Sequence, residues 1–220
     1  MKYKKFLIRS LSIIALMAIT IGGMYWWIYK SPDTAPIPQS YRARLYWHQK
    51  VNPWDLQQVQ NYCKKFGYND SYYIICDFGK ASGRKRFYLY DLNDKERIMR
   101  SYCMHGNGGG STAKKPVFSN LPGSNCSSIG LYALKGIGSY SIKNSIRLTG
   151  LDNTNSMARA RGLLIHSSKK TSRFHGEKDY IPLGDESHGC FTISSSCLAE
   201  LMTIYSVHGK KKRILMWACA

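Results

Sequence analysis

Tyr72-Tyr73-Ile74-Ile75-Cys76-Asp77-Phe78 and Arg86-Phe87-Tyr88-Leu89-Tyr90-Asp91-Leu92 flank the short segment Ala81-Ser82-Gly83-Arg84. Two runs of aromatic and β-branched residues around a Gly-containing turn form a β-hairpin signature, and this pair sets the reading of the whole chain. Asn93-Asp94 supplies the next turn, and Arg97 to Met104 a third strand. Shorter apolar runs follow at Ile129–Leu134, Ser145–Leu148 and Gly162–Ile165, with Gly and Ser clustered between them, and Arg213–Cys219 reads as a closing strand. Only two segments look helical. In the first, Asn52 can cap, Pro53 suits the first turn and Gly67 can end it. Val59, Tyr62, Cys63 and Phe66 make its apolar stripe at i, i+3, i+4, i+7. The second is Leu198–Val207. Many strands and few helices predict a mainly β domain over residues 51–220, a sandwich or barrel with peripheral helices.

Working outward from that domain, the amino terminus has a different texture. Lys2, Lys4, Lys5 and Arg9 precede an apolar run from Leu11 to Tyr29 that contains no Asp, Glu, Lys or Arg. Such a run is about long enough to cross a hydrocarbon core, and Tyr25, Trp26, Trp27 and Tyr29 close it with interfacial aromatics. Met24-Tyr25-Trp26-Trp27 is a poor cleavage site, so residues 1–30 are expected to stay on as a single-pass signal anchor, cleavage being the rival reading. The basic flank then stays cytoplasmic, and residues 31–220 are exported to the cell envelope, on the periplasmic side. Residues 31–50, with Pro32, Pro36 and Pro38, read as a Pro-rich spacer.

The chain carries 32 Lys and Arg against 13 Asp and Glu, a formal charge of +19. That draws polyanions. For an exported protein these are anionic wall polymers and membrane headgroups rather than nucleic acid. With 44% hydrophobic and 13% aromatic residues the chain is globular, not disordered. Seven cysteines, at 63, 76, 103, 126, 190, 197 and 219, fit six structural ones in pairs plus one reactive thiol. None has C-x-x-C or other paired metal-ligand spacing, so no zinc site is expected. The Gly-rich stretch His105-Gly106-Asn107-Gly108-Gly109-Gly110 lacks the Lys-Ser/Thr ending of a phosphate loop and reads as a turn near a groove.

Two segments hold the chemistry. In Arg161-Gly162-Leu163-Leu164-Ile165-His166-Ser167-Ser168 an imidazole ends an apolar strand. In Gly184-Asp185-Glu186-Ser187-His188-Gly189-Cys190-Phe191-Thr192-Ile193-Ser194 a thiol follows a Gly turn. A thiol becomes a nucleophile when a base takes its proton or a cation stabilises the thiolate. The small residue at 189 lets neighbouring backbone N–H groups converge on a developing oxyanion. From the residues alone, a structural cysteine beside a core histidine is an equal reading.

Ser187-His188-Gly189-Cys190 resembles the S/T-H-G-C signature of the L,D-transpeptidase catalytic domain, the YkuD-type fold. Phe118-Ser119-Asn120 with Ser127-Ser128-Ile129-Gly130-Leu131-Tyr132, Ile146-Arg147-Leu148-Thr149-Gly150-Leu151 and Arg161 to Ser167 resemble, in order, further segments of its murein L,D-transpeptidase branch, over about residues 70–217. The resemblance implies Cys190 as nucleophile and His166 as its base, with the Ser167 carbonyl orienting the imidazole and amides near Gly189 and Cys190 forming the oxyanion hole. Ser167 departs from the Gly usual there, and the loop 167–186 is long. His175 in that loop is the alternative base. Arg147 and Arg161 are candidates to hold a stem-peptide carboxylate bidentately, and His188, Tyr132 and Ser187 candidates to line the substrate groove. The implied reaction is acyl transfer from a peptidoglycan tetrapeptide stem through a Cys190 thioester to an amine (a 3→3 cross-link) or to water (L,D-carboxypeptidase), with no metal or cofactor. The competing reading is an inactive, basic wall-binding module on the same fold. A papain-like protease has the reverse Cys–His order.

Overall fold

The computed structural model describes residues 41–139 and 141–220, together with Thr20. The anchor expected over 1–30 and most of the spacer therefore lie outside the described residues. Among the described residues no helix is long and apolar enough to cross a membrane. The chain divides into Met1–Thr34 and Ala35–Ala220, and every described strand belongs to the second unit.

The elements of that unit run α1 (Tyr41–Lys50), α2 (Leu56–Phe66), β1 (Tyr72–Asp77), β2 (Phe87–Asp91), β3 (Glu96–Ser101), β4 (Gly130–Ile137), β5 (Ser145–Gly150), β6 (Leu164–Ser167), α3 (Lys169–Arg173), β7 (Phe191–Ile193), α4 (Ser195–Ile204), a π-helical turn (Tyr205–Gly209) and β8 (Leu215–Cys219). The strands form one sheet in the order β3-β2-β1-β8-β4-β5-β6-β7. Pairing is antiparallel except between β1 and β8 and between β6 and β7. A single antiparallel bridge, Met104 to Thr192, ties the chain beyond β3 to β7, so the two edges of the sheet meet and the sheet curls into a barrel-like closure. Closure removes the unpaired edges that invite aggregation.

Burial follows strand alternation. Ile74 and Cys76 of β1, Tyr132 and Leu134 of β4, Ile165 of β6 and Phe191 of β7 point inward and pack with Leu198 and Leu201 of α4. Their neighbours Tyr73, Ile75, Leu131, Ala133 and Leu215 face outward and are covered by Trp47, Val59, Tyr62 and Cys63 from α1 and α2. Central strands buried on both faces explain why Tyr72–Cys76 is continuously apolar rather than alternating.

Three expectations change. α2, the first helix expected from the sequence, is capped by Asp55, whose carboxylate accepts from the amides of Gln57 and Gln58 at 3.0 and 3.1 Å. Asn52 instead closes the preceding turn, its Oδ1 accepting from Trp54 N at 3.0 Å. The spacer assigned to 31–50 ends by Tyr41: Trp47, 1% exposed, packs edge-on against Tyr62 at 4.9 Å. His48 Nε2 meets Asp152 Oδ1 at 2.8 Å, and Arg44 donates to Asn153 at 2.8 Å. α1 was illegible because its buried side is only Ala43 and Trp47, too narrow a stripe to register as periodicity. Finally, the seven cysteines are all free thiols. Cys76 and Cys103 are side by side in the inner core, sulfurs 3.7 Å apart.

Candidate active site

Two parallel strands carry the site. β6 and β7 pair Ile165 with Phe191 and His166 with Thr192. In a parallel pair, partners share a face, and along a strand alternate residues share one too. Ile165 and Phe191 belong to the inner core, so His166 and Thr192 point the other way. Cys190, one residue ahead of Phe191, falls opposite Leu164 on that same outer face. Standard strand spacings put the Cα atoms of His166 and Cys190 about 8 Å apart. β5 extends the rows: Ser145 lies opposite His166, and Arg147 opposite Leu164. Arg147, Leu164 and Cys190 thus form one row across three strands.

His166 is buried, and its Nδ1 lies 3.1 Å from the Ser167 carbonyl. A carbonyl only accepts, so the ring proton sits on Nδ1 and the Nε2 lone pair stays free. Burial lowers the imidazole pKa below 6.5, opposed by the Ser167 carbonyl and by the charge of Glu186. The ring is therefore neutral at pH 7. Burial pushes the Cys190 thiol up from 9.0, opposed by a hydrogen bond from the Leu164 backbone and by the Arg161 guanidinium. The resting pair is thus thiol and neutral imidazole, and the thiol needs a base to react.

The turn before Cys190 is held on three sides. Ser187 Oγ donates to the Cys190 carbonyl at 2.7 Å, and the Ser187 carbonyl accepts from Asn107 N at 3.0 Å. Ser127 Oγ donates to the Gly189 carbonyl at 3.0 Å and accepts from Gly106 N at 3.0 Å. Gly189 has φ +108, and a β-carbon there would stand 2.5 Å from the Cys126 carbonyl oxygen, so only glycine fits. Among the described residues, the Gly189 and Cys190 amides hydrogen-bond to no loop carbonyl or side chain.

Behind the turn stands a network that sequence reading missed. Arg86, 1% exposed, donates to the carbonyls of Cys103 and Lys80 at 2.7 Å each, and its Nη2 lies 2.9 Å from Nδ1 of His105. Arginine can only donate, so His105 accepts at Nδ1 and donates from Nε2 to the Thr112 carbonyl, 2.9 Å away. The buried pair pins the Gly-rich loop 105–112 in place beside Gly189. Burial and the Arg86 charge push the His105 pKa down to about 4. The only clue in the sequence was an arginine opening an apolar run.

The other expected site residues divide. Arg147 is half-buried beside the Cys190 row, and its Nε is buried without a hydrogen-bond partner. The neighbouring Oγ1 of Thr192 is in the same condition. His188 is exposed on the turn, and His175 is exposed on the loop after α3, its amide accepted by Glu177 at 2.9 Å. Three side chains expected to bind substrate, two as groove lining and Arg161 as a carboxylate holder, are engaged within the protein. Tyr132 is fully buried in the inner core, edge-on to Phe191 at 5.5 Å with its hydroxyl on Ser128. Ser187 is buried and spends its hydroxyl on Cys190's carbonyl. Arg161 donates to the Ser119 carbonyl at 2.7 Å, to Ser124 Oγ at 3.3 Å and to the Cys126 carbonyl. It braces the loop around Gly189 and supplies positive charge to the thiol, leaving little of its fork for a ligand. Ser167 contributes its carbonyl to His166, while its side chain lines a cavity of about 380 Å³ with Ile137, Leu198 and Met202.

A family model of the L,D-transpeptidase catalytic domain matches residues 48–211. Among solved structures, the chain is similar to the crystal structure of an L,D-transpeptidase from Xylanimonas cellulosilytica DSM 15894, at 15% identity and a TM-score of 0.37. The match covers 67% of this chain and 60% of that one, less than two thirds of its length. No curated protein matches the chain. The family model spans most of the sequence and takes in every residue of the site, and the chain belongs to the L,D-transpeptidase catalytic domain family.

Proposed function

We propose that this domain is an exported cysteine acyltransferase acting on peptidoglycan stem peptides, with Cys190 as nucleophile and His166 as general base. The observation that carries the reading is their common face on adjacent strands, with a neutral imidazole on one and, at the start of the other, a thiol that stays protonated unless a base assists. His166 Nε2 takes the thiol proton as sulfur bonds to the carbonyl carbon linking the third stem residue to its terminal D-Ala. The amides of Gly189 and Cys190 receive the developing oxyanion. The C–N bond then breaks, and the imidazolium returns the proton to the departing D-Ala amine. An amine on a neighbouring stem resolves the thioester to a 3→3 cross-link, and water resolves it to a tripeptide.

Arg147 is the residue that binds a stem carboxylate. Its guanidinium lies across the glycine at 136, a β-carbon there falling 2.4 Å from Nη2, and its buried Nε lacks a partner. A buried unpaired donor in a native fold points to a group that arrives later. His175 is too exposed to be preorganised as a base. The charge of +19 suits anionic wall polymers around the substrate, and the first 30 residues serve as the membrane anchor.

Mass spectrometry of muropeptides after incubation with the full-length chain and its Cys190→Ala form tests this reading. New 3→3 dimers or tripeptides are expected with the wild type only. Identical profiles from the two would remove the enzymatic assignment.

A further inference from the structure

In a chain with 32 basic and 13 acidic residues, a carboxylate in the turn that leads to Cys190 calls for a reason. Glu186 stands four residues before Cys190, and Lys170 four residues after His166. Lys170 Nζ meets Glu186 Oε2 at 3.2 Å and donates to the Leu183 carbonyl at 3.3 Å. Together these oxygens make a cradle for an ammonium group, already occupied by one from the protein itself. α3 fixes where it sits: Ser168 caps the helix, and Thr171 Oγ1 donates to the Ile193 carbonyl of β7 at 2.7 Å. The pair thus bridges the segment that follows the base and the turn that precedes the nucleophile. Both side chains keep about a third of their surface exposed, 37% and 33%, while the Glu186 Oε2 that Lys170 meets is itself buried and makes no hydrogen bond. A half-exposed ion pair adds little to stability. Its charge does reach the site, since Glu186 favours the protonated form of His166.

We propose that Glu186 is the acceptor-amine subsite: its carboxylate holds the ammonium of the incoming nucleophile beside His166, and Lys170 fills that place until the acceptor displaces it. The inference rests on the acyl-transfer reading. At neutral pH the acceptor amine arrives protonated. It gives one proton to His166, its nitrogen bonds to the thioester carbonyl carbon and the C–S bond breaks. A second proton passes to the Cys190 sulfur, leaving an amide N–H and a free thiol. Water carries no charge for Glu186 to attract, so this residue sets the partition between cross-linking and hydrolysis.

The test feeds the full-length chain a stem tetrapeptide donor and a stem tripeptide acceptor bearing a lysine side-chain amine, and reads the ratio of cross-linked to hydrolysed product. Losing a charge-assisted hydrogen bond in Glu186→Gln is expected to lower that ratio about tenfold, and Glu186→Asp to restore part of it. Lys170→Met, by removing the competing ammonium, is expected to raise the ratio at low acceptor concentration by lowering the acceptor KM. An unchanged ratio in Glu186→Gln, or a fall in Lys170→Met matching that of Glu186→Gln, would overturn the subsite while D-Ala release by the wild type keeps the transfer reading. A wild type that releases no D-Ala overturns both.

Discussion

The backbone of Gly106 lies against that of Gly189: a β-carbon at 106 would stand 2.6 Å from the Gly189 nitrogen and 2.7 Å from its Cα. The Gly-rich loop is therefore the back wall of the turn before Cys190. That β-carbon would also stand 2.2 Å from the Asn125 carbonyl oxygen, so Gly106→Ala must part these backbones and misalign the amides at 189 and 190. Losing one oxyanion donor costs about 10²–10³ in rate, so acyl transfer by Gly106→Ala is expected to fall at least about tenfold. Steady-state D-Ala release from a tetrapeptide, measured beside the wild type, checks it.

The thiol and imidazole titrate in opposite directions from their ordinary values. The His166 pKa lies below 6.5 and that of Cys190 above 9.0. Activity should rise with pH through an inflection below 6.5, where the imidazole sheds its proton, and hold a plateau to above 9. In His166→Ala that acid limb should vanish, with the rate down by about 10²–10⁴. Alkylation of Cys190 in this variant should become fast only above pH 9. An acid limb that survives the substitution would assign the base elsewhere, His175 being the first candidate.

His105 makes the fold itself acid-sensitive. Its folded pKa of about 4 is depressed from the ordinary 6.5. Between those values the unfolded chain binds the extra proton and the folded one does not, so stability falls as pH drops from 6.5 toward 4 and then levels. The linkage amounts to up to about 3 kcal/mol. Denaturant midpoints across that range should show the slope, and His105→Asn should flatten it whatever its own stability.

Trp47 decides whether α1 is part of the domain. Removing a fully buried Trp side chain costs about 3–5 kcal/mol. Urea unfolding of Trp47→Ala should show a loss of that order. A loss under about 0.5 kcal/mol, the range of surface substitutions, would return residues 41–50 to the spacer.

The strands were legible because their buried faces are long runs of aromatic and β-branched residues, and α2 because Val59, Tyr62 and Cys63 face one core. The cysteine and histidine of the site stood out because a thiol after a Gly turn and an imidazole closing an apolar strand are chemically conspicuous. What a linear pattern does not carry is which strand lies beside which. β1 pairs with β8 across most of the chain, and one bridge between Met104 and Thr192 closes the sheet. Side-chain direction depends on that pairing. Tyr132 and Ser187 turn into the protein and Arg161 turns onto loop carbonyls, while Arg147 and His166 share the face of Cys190. Composition and local periodicity determined that this chain makes a mainly β domain with an apolar core, and the order of its motifs marked Cys190 and His166 as the pair to examine. Only the tertiary register decided which polar groups meet at that thiol, because a one-residue shift in pairing sends every side chain of a strand to the opposite face.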